Sequence, residues 1–477
     1  MLFRVAFLLL FPTFTIYSQV KFPVKTSENN RHLVDANGKP FPILGRTSWC
    51  IISQPASGYK KYIENTVSHA YNAIEMAVIF HWPTVNHPPF NGDLDLPFLK
   101  QLNGSPWKGS LVYKDTLAEA PDLTTPNEKY WRFVDEFLNY CESKGVLVFM
   151  FPAYVGYDGG DQGWMQELLA NGPEKVKQYG AWIAERYKNQ KNIVWMLLGD
   201  QGKFKPVEVE AEAALIAGLK SVPGQQSTHY TAESFSGQNA ADQENFGHEM
   251  NLNGVYTWDS VGVVTLGRKA YGHTPVIPAF LLEEPYDEEG PDGTKYNPHA
   301  TQPVRRFQWW GWLTTTGGYI AGNGYIYPFI DPHWQEHLNT QATLDMDRLN
   351  RFIKSIEWWK LVPSGMNGMR KLILKGEGSD TATNYVAAAA TADGSLLVAY
   401  IPPSHDGRIT VDVTVMKKRA WATWLDPSSG AMKKINGSPL SHWTQREFVT
   451  PGKNSRGEND WILILKTDKY FNSLGKE

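Results

Sequence analysis

Two apolar runs in this chain each stop at a carboxylate: NIVWMLLGDQ, from Asn192 to Gln201, and PVIPAFLLEEP, from Pro275 to Pro285. A strand buried on both faces reads as a near-continuous apolar run, which is the pattern of a parallel sheet covered by helices. A carboxylate just past the C-terminal end of such a strand lies where (β/α)₈ barrels carry their reactive groups. Two carboxyl groups from different strands are also the minimum equipment for cleaving a glycosidic bond: one protonates the leaving oxygen, and the other attacks the anomeric carbon or activates water. Asp200 and Glu284 are the candidate pair. Glu283 adjoins Glu284, and neighbouring strand residues point to opposite faces, so the two cannot both face a barrel axis. Each candidate also has a plain structural reading, Asp200 as a helix N-cap and Glu284 as part of a solvated acidic loop with Asp287, Glu288 and Glu289.

The elements that must position these groups alternate along the chain, as in α/β architecture. Eight strands are expected: Pro42–Trp49, Asn72–Ile79, Gly145–Tyr154, Asn192 to Asp200, Ser227–Thr231, Asn253–Trp258, Pro275 to Glu284, and Gly317–Gly322. Helices are expected over Tyr59–Ala70, Asn127–Lys144, Pro173–Lys188, Glu208–Leu219 and Val304–Thr315. Asn127 is suited to capping the second of these, and Gly145 to ending it. A Pro- and Gly-rich excursion from Pro83 to Asn127 is longer than an ordinary βα loop, and such loops commonly wall a site. Past Gly365 the helix signals vanish and short strands recur with turns at Asp393-Gly394, Asp406-Gly407 and Ser428-Ser429-Gly430. The expected organisation is a leader over 1–18, a (β/α)₈ TIM barrel over 19–365 and a small all-β sandwich over 366–477.

A chain of 477 residues with 42% hydrophobic residues has ample material for such a core. Its net charge of −3 carries no basic excess for nucleic acid. Met1–Ser18 reads as a secretory leader, with Arg4 ahead of a short apolar run over Val5–Phe14. A secreted or periplasmic location follows, with no later membrane span. The 18 Trp, 22 Tyr and 22 Phe suit both a large core and stacking against sugar faces. Cys50 and Cys141 are two isolated residues that read as buried free thiols. No metal-binding spacing appears, so neither metal nor other cofactor is expected.

With these pieces in place the chain resembles glycoside hydrolase family 140, the apiosidase-like group also described as domain of unknown function 4038. The likeness runs from about Arg31 to Lys360. It rests on PFPILGRTSW, the GDQ of the fourth strand, the THY of the fifth, EEPYDEE at the seventh and RRFQWWGWLTTTGGYIAG at the eighth. It implies Asp200 as acid/base, Glu284 as nucleophile and a retaining mechanism. The C-terminal part resembles a small module named for collagen binding, through VAYIPP, ATWLDPSSG and NDWILIL, and is read as an accessory sandwich. Arg46 stands where many relatives have Asp, and suits either a carboxylate-bearing substrate or an ion pair with a neighbouring acid. Strand-end positions add Trp49, His81, Tyr154, His229, Tyr230, Trp258 and Asn323 as substrate-binding candidates. The expected function is a secreted glycosidase acting on a plant or algal polysaccharide, with an oligo- or polysaccharide as partner. The alternatives are a catalytically silent carbohydrate-binding protein and an adhesion protein on the same scaffold.

Overall fold

A computed structural model describes residues 20–80, 89–110, 119–157, 163–259, 261–283, 285–288 and 301–474. The leader at 1–18, His81 and Glu284 therefore lie outside the described residues.

The N-terminal part is built on eight parallel strands: β1 (Ile43–Thr47), β2 (Ala73–Ala77), β3 (Leu147–Phe151), β4 (Ile193–Leu198), β5 (Tyr230–Glu233), β6 (Asn253–Tyr256), β7 (Ala279–Leu281) and β8 (Thr316–Asn323). All of their residues are buried, Val255 and Leu197 included, as the apolar runs require. The helices are α1 (Ala56–Ser68), α2 (Glu128–Ser143), α3 (Met165–Tyr187), α4 (Pro206–Lys220), α5 (Gly262–Tyr271), α6 (Thr301–Thr315) and α7 (Gln341–Lys354). Asn127 caps α2 as expected, its side chain accepting from the Lys129 amide at 3.2 Å. α3 is two helical segments joined at a kink, where Gly172 leaves the helical conformation (φ 70°, ψ 164°); Pro173 opens the second segment as expected, and the first, from Met165, is an addition to the sequence reading.

The hydrogen-bonded order is β5-β4-β3-β2-β1-β8-β7-β6. No ladder joins β5 to β6 among the described residues, so the closed barrel expected from sequence is instead a curled sheet with a seam. The cause is local. After β5 the chain folds back, and Gln238–Asn239 pairs antiparallel with Tyr256 and Val255, occupying the edge of β6 that closure would use. At the foot of the seam the amides of Asn251 and Leu252 both donate to the Tyr230 carbonyl at 3.0 Å.

The C-terminal part is all β. Six strands order as Leu361–Pro363, Ala387–Thr391, Leu396–Ile401, Trp461–Lys466, Trp421–Leu425 and Met432–Lys434, and three more as Ile373–Lys375, Arg408–Asp412 and Gln445–Val449. One apolar core fills the space between these two sheets. A second core joins the six-stranded sheet to the helical layer: Trp309, Trp310 and Phe352 pack with Tyr385, Val398, Tyr400 and Ile464. The aromatic helix α6 is thus the seam between the two parts. Cys50 and Cys141 are buried and unpaired.

Candidate active site

The acidic groups meet at the C-terminal ends of the parallel strands. Glu75 on β2, Glu233 on β5 and Glu283 just past β7 have carboxylate oxygens all within 4.8 Å of one another. All three are buried, and Asp200, past β4, is partly so. Burial raises the Asp200 carboxyl first, the charge of Glu283 raises it further, and a hydrogen bond from Tyr256 holds it back, leaving it at about 8. Glu75 and Glu233 are pushed well above the usual carboxylate range by burial, then by Glu283. Glu283 is also raised by burial, opposed by hydrogen bonds from Tyr286, Trp49 and Glu233. Three carboxylates this close cannot all stay charged. The cluster is of a size to hold a cation, but the rising affinity of its members for protons and the donors already on Glu283 fit shared protons better.

The backbone turns sharply to present the two groups. Leu198, Asp200 and Glu283 all have positive φ, at 67°, 48° and 68°, a conformation that costs a non-glycine residue on the order of 1 kcal/mol and concentrates at functional sites. Gly199 lies between the first two because a Cβ there would come within 2.3 Å of the Tyr154 ring. The turn is held from behind by Glu212 of α4, which accepts from the Leu198 amide at 3.3 Å, and by the Gly199 amide, which donates to the Glu233 carbonyl at 3.1 Å. Past β7, Tyr286 and Asp287 run alongside Gly322 and Asn323 of β8. That pairing brings the Tyr286 hydroxyl onto Glu283 Oε1, which also accepts from Trp49 Nε1 at 2.8 Å.

The sequence candidates separate into three groups. Asp200, Trp49 and Tyr154 converge on the site, Trp49 wedged between Phe151 and Tyr154 with both ring centroids at 4.9 Å. Trp49 therefore orients a carboxylate through its indole N–H. Trp258 lies beyond Tyr256 on the rim, its Nε1 donating to the Tyr256 hydroxyl at 2.8 Å. Asn323 is on the rim as well, but its amide is engaged by Asp287 and Glu288 at 3.2 and 3.1 Å and its carbonyl by the Tyr325 and Ile326 amides, so it braces a loop.

Arg46, His229 and Tyr230 are elsewhere. Arg46 shares the outward face of β1 with Leu44, donates to Asn65 of α1 at 2.8 Å and lies against the rings of Tyr62 and Tyr71. Among the described residues an amide and two π-faces hold its charge, and it forms no ion pair with an acid. His229 and Tyr230 are at the opening end of β5. His229 hydrogen-bonds Thr26 at 3.1 Å, burial lowers it to about 4, and Tyr230 lies under Lys220. The reason is register: β5 begins at Tyr230, three residues later than the expected Ser227, so its upper end carries Glu233. Glu75, Glu233, Glu283, Tyr256 and Tyr286 were not among the candidates. Only Glu75 had a clear signal, a charge in the middle of the apolar run NAIEMAVI.

The fold is that of the α/β glycoside hydrolases. One solved glycoside hydrolase superposes with a TM-score of 0.72 at 19% identity, over 94% of this chain and 97% of that one. A family 5 glycoside hydrolase from Bacteroides vulgatus ATCC 8482 superposes with a TM-score of 0.72 at 18% identity, over 96% of each chain. Residues 27–360 match the family described as "Apiosidase-like, catalytic domain", and the chain belongs to that family. Residues 370–466 match the "Putative collagen-binding domain of a collagenase". No curated protein matches the chain in sequence.

Proposed function

We propose that this protein is an exported, retaining O-glycoside hydrolase that removes a sugar from a plant or algal polysaccharide side chain, with apiose as the sugar its family description suggests. Asp200 is the acid/base and Glu283 the nucleophile. The observation that carries this assignment is the asymmetry between them. Trp49 Nε1 and the Tyr286 hydroxyl both donate to one oxygen of Glu283, favouring its charged form, whereas burial and the charge of Glu283 outweigh the Tyr256 hydrogen bond at Asp200 and hold that group protonated to about pH 8. A pair of carboxyls whose surroundings divide the roles in this way is what acid-plus-nucleophile catalysis needs. The Glu284 expected from sequence adjoins Glu283 and is displaced in this proposal by its neighbour, whose carboxylate lies in the cluster.

Protonated Asp200 delivers its proton to the glycosidic oxygen while ionised Glu283 attacks the anomeric carbon. A glycosyl ester forms on Glu283, and the bond to the leaving sugar breaks. Asp200, now ionised, takes a proton from water, which attacks the ester and restores both groups. Two steps at one carbon, each with inversion, return the original configuration. Proton NMR of the first-formed product should show the anomer of the substrate; the opposite anomer would remove Glu283 from the nucleophile role.

The acid fixes the sign of the pH dependence. Asp200 must carry a proton to act, so kcat/KM should hold up to pH of about 8 and then fall about tenfold per unit as the group ionises. A profile that already falls by pH 6 would show that a carboxyl other than Asp200 is the acid.

A further inference from the structure

Beyond Asp200 the site opens onto a cluster of aromatic rings that the chemistry above does not use. Trp258 and Tyr157 lie nearly parallel, their planes 23° apart and their centroids 6.2 Å apart. Phe235 packs against both, at 5.6 and 6.0 Å. Trp258 is 46% exposed and Tyr157 41%; among the described residues the one further large aromatic exposed to this degree is Trp443, far along the chain. Leaving two such rings in water forgoes much of the stabilisation their burial would give.

Two contacts tie these rings to the acid. Trp258 Nε1 donates to the Tyr256 hydroxyl at 2.8 Å, and Tyr256 in turn hydrogen-bonds Asp200. On the other side Phe235 abuts the loop that carries Asp200, so closely that a Cβ on Gly202 would lie 2.7 Å from its own Cβ. Trp258 is fixed as well through its backbone amide, which donates to Ser236 Oγ at 2.7 Å. There is also a gradient of burial: the three glutamates are inside, Asp200 is intermediate and Trp258 and Tyr157 face solvent. A path from the interior carboxylates outward thus passes the acid and then the rings.

We propose that Trp258 and Tyr157 form the leaving-group subsite, a flat platform on which the sugar ring beyond the scissile bond stacks through its C–H face. The inference rests on the glycosidase reading, because the group that protonates the leaving oxygen must have the leaving sugar beside it. It makes the substrate a glycan with at least one further ring on the leaving side, in preference to a sugar attached to a small aglycone. The platform's apolar ring faces suit a neutral C–H face more than a charged edge.

The test separates binding from turnover. Glu283→Gln protein, with and without Trp258→Ala, is titrated with the oligosaccharide pool from a partial acid digest of pectin, and binding is read by calorimetry. Trp258→Ala should weaken binding about tenfold or more, and Trp258→Phe, which keeps a flat ring, should recover most of it. Tyr157→Ala serves as a second variant should Trp258→Ala not fold, and should weaken binding in the same direction. Equal affinities with and without the rings, or no binding of the pool at all, would overturn the platform. Binding that depends on Trp258 in a protein whose wild type releases no sugar would keep the stacking surface but overturn its role as a leaving-group subsite, together with the glycosidase reading.

Discussion

Glu283→Gln should lower the rate of sugar release by at least about 10⁴-fold while leaving the protein folded, because loss of a covalent nucleophile is among the largest single-residue effects in enzymes. The amide matches the carboxylate in size. Its oxygen can still accept from Trp49 Nε1 and the Tyr286 hydroxyl, so the local packing survives. What disappears is the negative charge that attacks the anomeric carbon. The substitution also removes a charge that raises Asp200, Glu75 and Glu233, so the variant should be at least as stable as the parent at neutral pH. The parallel variant Glu284→Gln separates the two adjacent residues: on this account it costs far less than its neighbour. Full loss in Glu284→Gln with retained activity in Glu283→Gln would transfer the nucleophile role.

Arg305→Ala should destabilise the whole chain by about 3–5 kcal/mol, the usual cost of removing one partner from a buried ion cluster. Arg305 is at the centre of the contact between the two parts of the molecule. From α6 it donates to Asp345 of α7 at 2.6 Å, to both oxygens of Asp460 at 2.8 and 2.9 Å, and to Glu458. The side chains of Asp345 and Asp460 are wholly buried, so neither can turn to water when the guanidinium is lost. The Tyr400 hydroxyl also donates to Asp460, at 3.1 Å, and the Tyr400 ring lies parallel to that of Trp309 at 5.9 Å. The Trp310 indole donates to the Tyr385 carbonyl at 3.0 Å. A chain cut after Gly365 would keep Asp345 but lose Asp460, Glu458, Tyr400 and Tyr385, and uncover Trp309, Trp310 and Phe352, each large side chain being worth about 1.5–3 kcal/mol. Against a total stability of about 5–15 kcal/mol, the N-terminal part alone should not fold. Urea denaturation followed by tryptophan fluorescence checks the point mutant, and soluble yield checks the truncation. An Arg305→Ala midpoint equal to wild type would show that the ion cluster adds no net stability.

These contacts bear on what the sequence could convey. The strands were legible because each is a short apolar run ended by a turn, a local property that survives without knowledge of neighbours. The order of the parallel strands followed from their alternation with helices. Three things depended on partners distant in sequence. The seam between β5 and β6 arises from Gln238–Asn239 taking an edge, which no pattern within β5 or β6 announces. The start of β5 at Tyr230 is fixed by pairing with Trp195 to Leu198, and a shift of three residues was enough to promote His229 and Tyr230 and to hide Glu233. The geometry at the end of β7, a positive φ at Glu283 and Tyr286 held beside Gly322, is likewise not supplied by strand alternation. RRFQWWGW was legible as a marker of kinship, but its physical work, joining the sandwich to the sheet, appears only once both are folded.

The central claim is that the cluster at the strand ends cleaves a glycosidic bond. Incubating the purified full chain with a panel of pectic and algal oligosaccharides, wild type beside Glu283→Gln, and identifying released sugars by mass tests it most directly. The account predicts one monosaccharide released by wild type and none by the variant. Equal release by both proteins, or no release from any member of the panel, would contradict it.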